Sequence, residues 1–244
     1  MSNLVTALSD TFIPRRNVRH GPLPALLVVM TLVTGLVDAF SYLVLGHVFV
    51  ANMTGNVVFL GFALAGAPGF SISASLAAVA AFVLGAGLGG RLYANGRAHR
   101  GSLLYRASSI QALFLFAGMV LALEVSYPAT GGHRYALIGV MGVAMGVQNA
   151  TARKLAVPDL TTTVLTLTIT GMIADVGDVP SVGLANTRRL IAVLSMFVGG
   201  LVGAVLVLRS ALFSPLLIAA ILISTIALVA RLASQNDQQW HHTS

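Results

Sequence analysis

Cysteine is absent from the 244-residue chain, which excludes disulfides, thiolate metal sites and a cysteine nucleophile. Charge is scarce as well: Asp, Glu, Lys and Arg make up 9% of the residues, against roughly 25% in a soluble domain. The 7 acidic residues nowhere form the paired carboxylates that glycoside-type hydrolysis needs. The 6 histidines include no H-E-x-x-H or comparable spacing, so no metal site is indicated. No serine stands in a G-x-S-x-G setting. With no recognisable acid, base and nucleophile set, the chain is read as a non-enzyme that needs no cofactor.

What is present is apolar. Hydrophobic residues make up 57% of the chain and the mean hydropathy is +0.89, so water cannot be its main solvent. The 14 Lys and Arg leave a net charge of +7, and they sit at the ends of apolar runs. That placement suits anchoring on anionic lipid and orientation by the positive-inside rule. Without a basic surface that also bears aromatics, nucleic-acid binding is excluded.

Apolar runs long enough to cross a bilayer, about 17 to 25 residues, are Leu23 to Leu45, Ile72 to Tyr93, Leu103 to Leu123, Leu190 to Leu208 and Leu212 to Ala230. Tyr135 to Ala152 is a sixth, interrupted late by Gln148 and Asn149. The first run is too long for the h-region of a signal peptide and contains Asp38, so it reads as an uncleaved span. Asn52 to Ala67 and Thr161 to Ala174 would make helices of only about 24 and 21 Å at 1.5 Å per residue, short of a hydrocarbon core of about 30 Å.

Charge decides how those two behave. If all eight segments crossed from a cytoplasmic N-terminus, the loop with Arg91, Arg97, His99, Arg100 and Arg106 would lie outside, against the positive-inside rule. If the two short segments are broken or re-entrant, the N-terminal arginines, that loop, Arg153, Lys154, Arg188, Arg189 and Arg231 all fall inside. Only Arg134 and Arg209 remain outside. The expectation is an all-α polytopic bundle with six full spans, two short broken or re-entrant helices and both termini cytoplasmic. A polar segment 1–22 precedes a single transmembrane domain 23–232, and a polar tail 233–244 follows.

The short segments resemble each other. Val50 to Val58, VANMTGNVV, lies over Val157 to Leu165, VPDLTTTVL, with identities at Val50/Val157, Thr54/Thr161 and Val57/Val164. Gly35 to Ala39 lies over Met145 to Asn149, pairing Asp38 with Gln148, and Phe82 to Gly85 lies over Phe197 to Gly200. The matches keep their order, which predicts repeat halves at about 23–123 and 135–232. Three crossings per half would invert the second half, an architecture common among secondary transporters.

Asp38 sits mid-span, where an unpaired charge costs about 2.5 kcal/mol or more. It is either an ion, proton or ligand site, or a buried structural carboxyl paired with Asn or Thr of the short helices. In the breaks, Asn52, Thr54, Asp159 and Thr161 are residues that favour helix N-caps, and Pro158 suits a chain entering a helix from an extended stretch. Such N-termini also offer free N–H groups to an anion. Capping alone leaves Asn56, Thr162 and Thr163 without a task, although threonines also bond i−4 carbonyls. The candidate ligand-binding set is therefore Asp38, Asn52, Thr54, Asn56, Gln148, Asn149, Asp159, Thr161, Thr162 and Thr163. Arg153 and Lys154 read as the inner membrane boundary, with neutralisation of an anionic solute as the alternative, and Asp175, Asp178, Arg188 and Arg189 as a solvated loop.

Gly85 to Gly90 satisfies G-x-G-x-x-G but lies in an apolar span with no strand before it, so a dinucleotide site is excluded. The pairs Gly85/Gly89, Gly142/Gly146 and Gly199/Gly203 read as close helix contacts, within the chain or in a homo-oligomer.

GLVDAFSYLVLGHVFVANMTGNVVFLG in the first half and MGVQNATARKLAVPDLTTTVLT in the second resemble the YoaK family of predicted bacterial inner-membrane proteins, over most of residues 23–232. The resemblance implies a multi-pass protein of the bacterial inner membrane and supplies no substrate. The expected function is a transporter or channel-like protein for a small polar or anionic solute; the alternative is a non-transporting scaffold or lipid sensor.

Overall fold

The computed structural model describes residues 20–94, 99–158, 160, 162, 163, 165–174 and 180–235. Among these are eight helices: α1 Leu23–Val44, α2 Met53–Leu64, α3 Ile72–Ala94, α4 Arg100–Ala122, α5 Gly131–Leu155, α6 Leu165–Ala174, α7 Pro180–Arg209 and α8 Ser214–Ser234. Six of them are long and apolar enough to span a bilayer. At 12 and 10 residues, α2 and α6 reach about 18 and 15 Å, shorter than the sequence suggested.

Hydrogen bonds at the helix ends fix which face of the bundle each end occupies. On one face, Arg100 donates to the carbonyl of Leu155 and lies 3.4 Å from Nδ1 of His20. The start of α1, the start of α4 and the end of α5 therefore share this first face. On the opposite face, Arg134 in the first turn of α5 donates to the Leu45 carbonyl at 2.7 Å, and Ser73 meets the Tyr135 hydroxyl at 2.7 Å. So α3 starts on the face where α1 ended, and α2 returns to the face it left.

The second half behaves alike. Along the α1–α7 seam Gly199 lies against Leu32, and Gly203 against Leu36 and Ala39, so the two helices run parallel. α7 must then start on the first face, where α5 ended, and α6 is re-entrant too. Along the α3–α5 seam Gly85 lies against Val143, and Gly89 against Val147 and Ala150. At these glycines a Cβ would strike the neighbouring backbone or side chain. Such contact is the geometry G-x-x-x-G pairs permit.

The two seams correspond contact by contact. Leu32, Leu36 and Ala39 are replaced 111 residues later by Val143, Val147 and Ala150, while Gly85 and Gly89 are replaced 114 residues later by Gly199 and Gly203. Exchanging α1 with α5, α2 with α6, α3 with α7 and α4 with α8 maps the principal helix contacts onto themselves. By these contacts Asp38 corresponds to Asn149 and Gly85 to Gly199. The sequence comparison had paired Asp38 with Gln148 and Gly85 with Gly200, because apolar stretches match almost equally well one residue out of step.

α1 and α5 are the most enclosed spans. Val83, Leu84, Phe197, Leu201 and Leu208 of α3 and α7 stand exposed, as side chains facing lipid do. α7 spans 30 residues from Pro180, not from Leu190. Arg188 and Arg189 therefore lie on a helix and not in a solvated loop: Arg188 is 9% exposed, and Arg189 packs on Gly171 of α6. Asp175 and Asp178 lie outside the described residues.

Candidate functional site: two anchored breaks and a buried glutamine pair

The first break begins where α1 ends. Gly46 (φ +77°) and His47 (φ +58°) turn the chain, Arg134 holds the carbonyls of Leu45 and Gly46, and Val50 and Ala51 dive back into the core. Non-helical backbone at that depth needs internal partners, since lipid offers none. Asp38 supplies them. Its Oδ1 accepts the N–H groups of Val50 at 3.2 Å and Ala51 at 3.0 Å, and its Oδ2 accepts Nδ2 of Asn52 at 2.7 Å.

Asn52 stands at the N-cap of α2 without making a side-chain cap bond, so the capping expected from sequence is replaced by the bond to Asp38. Asn56, fully buried, accepts the Phe49 N–H at 2.9 Å and donates to the Phe49 carbonyl at 2.5 Å. Both asparagines thus brace the loop. Thr54 points outward and is exposed. Tyr42, Phe49, Phe59, Phe62 and Phe70 pack ring to ring around this break. α6, LTLTITGMIA, contains no aromatic residue.

The second break follows Ala156, which ends α5 in the left-handed region. Thr163 donates to Oδ1 of Asn149 at 2.6 Å, and Asn149 in turn donates to the Met145 carbonyl at 3.0 Å. Asn149 and Thr163 are 14 residues apart, as are Asp38 and Asn52. One mid-helix side chain therefore anchors each break in the same relation, with a carboxylate in the first half and a neutral amide in the second. Thr162, 2% exposed and left-handed at φ +54°, holds a buried hydroxyl with no hydrogen-bond partner. Asp159 and Thr161 lie outside the described residues.

Gln148 does not join the second break. Fully buried, its Nε2 donates to Thr34 Oγ1 at 2.8 Å and to the Met30 carbonyl at 3.3 Å, and its Oε1 accepts Nε2 of Gln111 at 2.6 Å. The amide pair ties α5 to α1 and α4 at the bundle centre. Thr34 and Asp38 stand one turn apart on α1, on the same face. Sequence reasoning missed Gln111 and Ser108, although two polar residues three apart in the Leu103 to Leu123 run were a signal. An apolar groove between α4 and α8, lined by residues such as Leu113, Phe116, Ile221 and Leu228, contains none of the predicted site residues.

Residues 26–229 match the family described as "Protein of unknown function (DUF1275)". The chain belongs to that family. A curated relative is the UPF0700 transmembrane protein YoaK of Bacillus subtilis (strain 168), 33% identical over 154 residues, which cover 62% of this chain and 66% of the relative. The resemblance noted in the sequence is thereby borne out. No solved structure matches. The six long apolar helices and the transmembrane relative make this family member a multi-pass membrane protein.

Proposed function

We propose that the protein is a transporter or channel-like protein, not an enzyme, and that it moves a small polar or anionic solute past its two re-entrant breaks. The observation that carries this reading is the duplicated anchor: Asp38 to Asn52 and Asn149 to Thr163 at the same spacing, the second beside the partnerless Thr162 hydroxyl. A purely structural break needs each polar group matched. A buried hydroxyl without a partner invites a ligand.

The exchange of helix contacts between halves, with α1 and α5 running in opposite directions, supports an inverted internal repeat of the kind transporters use. In this scheme Asp38, Asn52 and Asn56 fix the first break as a rigid wall. Asn149, Thr162 and Thr163 contact the solute, with Asp159 and Thr161 in the same segment. Arg91, Arg100, Arg106, Arg153, Lys154, Arg188, Arg189 and Arg231 gather toward the first face, which supports reading that face as the cytoplasmic side of a bacterial inner membrane.

The test is uptake into proteoliposomes of small polar and anionic solutes by the purified protein. Thr162→Val and Asn149→Ala should cut the rate about tenfold, the effect of one hydrogen bond of about 1.4 kcal/mol. Uptake at the protein-free level for every solute would sink the transport reading. Variants that match the wild type would sink the site.

One observation favours a non-transporting scaffold or lipid sensor: all the protons directed at Asp38 come from the protein's own loop and Asn52. That reading predicts uptake at background together with an unchanged fold in Thr162→Val.

A further inference from the structure

The bundle centre holds a second set of unmatched polar atoms, distinct from the breaks. Ser108 and Gln111, three residues apart on one face of α4, are both fully buried. Ser108 Oγ and Gln111 Oε1 have no hydrogen-bond partner. Gln111 is pinned by its bond to Gln148, which is pinned by Thr34 and the Met30 carbonyl, so its free oxygen cannot swing out to water. Turning both amides over would leave Gln111 Nε2 unmatched in place of Oε1, so the unmet demand persists in either arrangement.

The geometry points to a buried binding site between α4 and α5, made by Ser108 and Gln111 and backed by Gln148 and Thr34, for a small uncharged molecule that both donates and accepts hydrogen bonds. Its occupant is neutral because no side chain of this network carries a charge, and a bare ion there would lose its hydration with nothing to replace it. Water is the smallest such molecule; a urea-sized amide is the larger one. An ordered internal water requires two or more polar partners and room for about one probe sphere, and a crystallographic density peak there reads both at once.

The proposal does not depend on transport, since it is read from occupancy and stability. Crystals of the full chain grown in lipid, at a resolution that shows waters, should carry a density peak within hydrogen-bond distance of both Ser108 Oγ and Gln111 Oε1. A thiourea soak separates the two occupants: an anomalous sulfur signal at the site means a urea-sized solute enters, and the unsoaked peak alone means water. An empty site in both crystals overturns the proposal.

Ser108→Ala gives an independent sign. Removing a hydroxyl that holds a ligand should lower the melting temperature by about 2 °C, whereas removing a hydroxyl with no partner leaves it unchanged or raises it. An unchanged or raised midpoint counts against the site. Background uptake in proteoliposomes would sink the transport reading and leave this site standing.

Discussion

Asp38 puts a carboxylate in mid-span, and three donors within 3.2 Å turn that cost into the anchor of the first break. Asp38→Ala strips partners from two buried N–H groups and from Asn52, for a loss of about 3 kcal/mol. At roughly 2–4 °C per kcal/mol for a chain of this size, the melting temperature should fall by about 6–12 °C. Asp38→Asn keeps an oxygen for Val50 and Ala51 and loses only the bond from Asn52, so its drop should be about a third as large. Thermal unfolding of the purified variants in detergent checks the order; equal drops would mean that the charge, and not the acceptor geometry, holds the loop. Asp38 and Asn52 were legible from sequence because a lone carboxylate in an apolar run must find a partner. The role of Asn56 was not, since nothing in MTGN says that its amide folds back onto Phe49.

Glycine lets α1 meet α7, and α3 meet α5, closely enough for backbone contact. At Gly85 and Gly199 a Cβ would collide with the carbonyls of Val143 and Leu32, so Ala at either position should cost about 1–3 kcal/mol through forced separation of the helices. Gly87, on the same helix as Gly85, has nothing within 4 Å of a Cβ; Ala there should be neutral or stabilise by up to about 1 kcal/mol. Comparing the melting temperatures of Gly85→Ala and Gly87→Ala separates packing from helix propensity. The G-x-x-x-G spacing marked these positions in advance. It did not say which helix each would meet, because any small-residue face accepts any other. Arg134, an exception to the charge pattern in the sequence, turns out to hold the Leu45 and Gly46 carbonyls at the end of α1, a favourable place for a cation at a helix C-terminus. Arg134→Ala should therefore loosen the first break, read as faster amide exchange at His47 to Phe49, with the α3–α5 seam unchanged.

Across the whole molecule, an absence becomes useful: a chain with no cysteine accepts single reporter thiols without background. Ala98→Cys, in the sequence between α3 and α4, should be labelled by a membrane-impermeant maleimide only after the cells are opened. Ser126→Cys, on the opposite face between α4 and α5, should be labelled in intact cells. External labelling at Ala98→Cys would reverse the assigned orientation. The sequence by itself determined the class of this protein: few charges, six long apolar runs and two short ones leave only a helical membrane bundle, since a buried backbone in lipid must bond to itself. The places where polar side chains interrupt those runs also marked both breaks. Only the tertiary structure decided which residues the seam glycines meet, because apolar residues are nearly interchangeable in sequence, whereas a glycine contact tolerates no shift of a residue. It likewise decided that Asn149 bonds Thr163 at the second break, and that Gln148 serves the bundle centre with Gln111. A side chain's partner depends on which helix lies opposite it, and that is a property of packing.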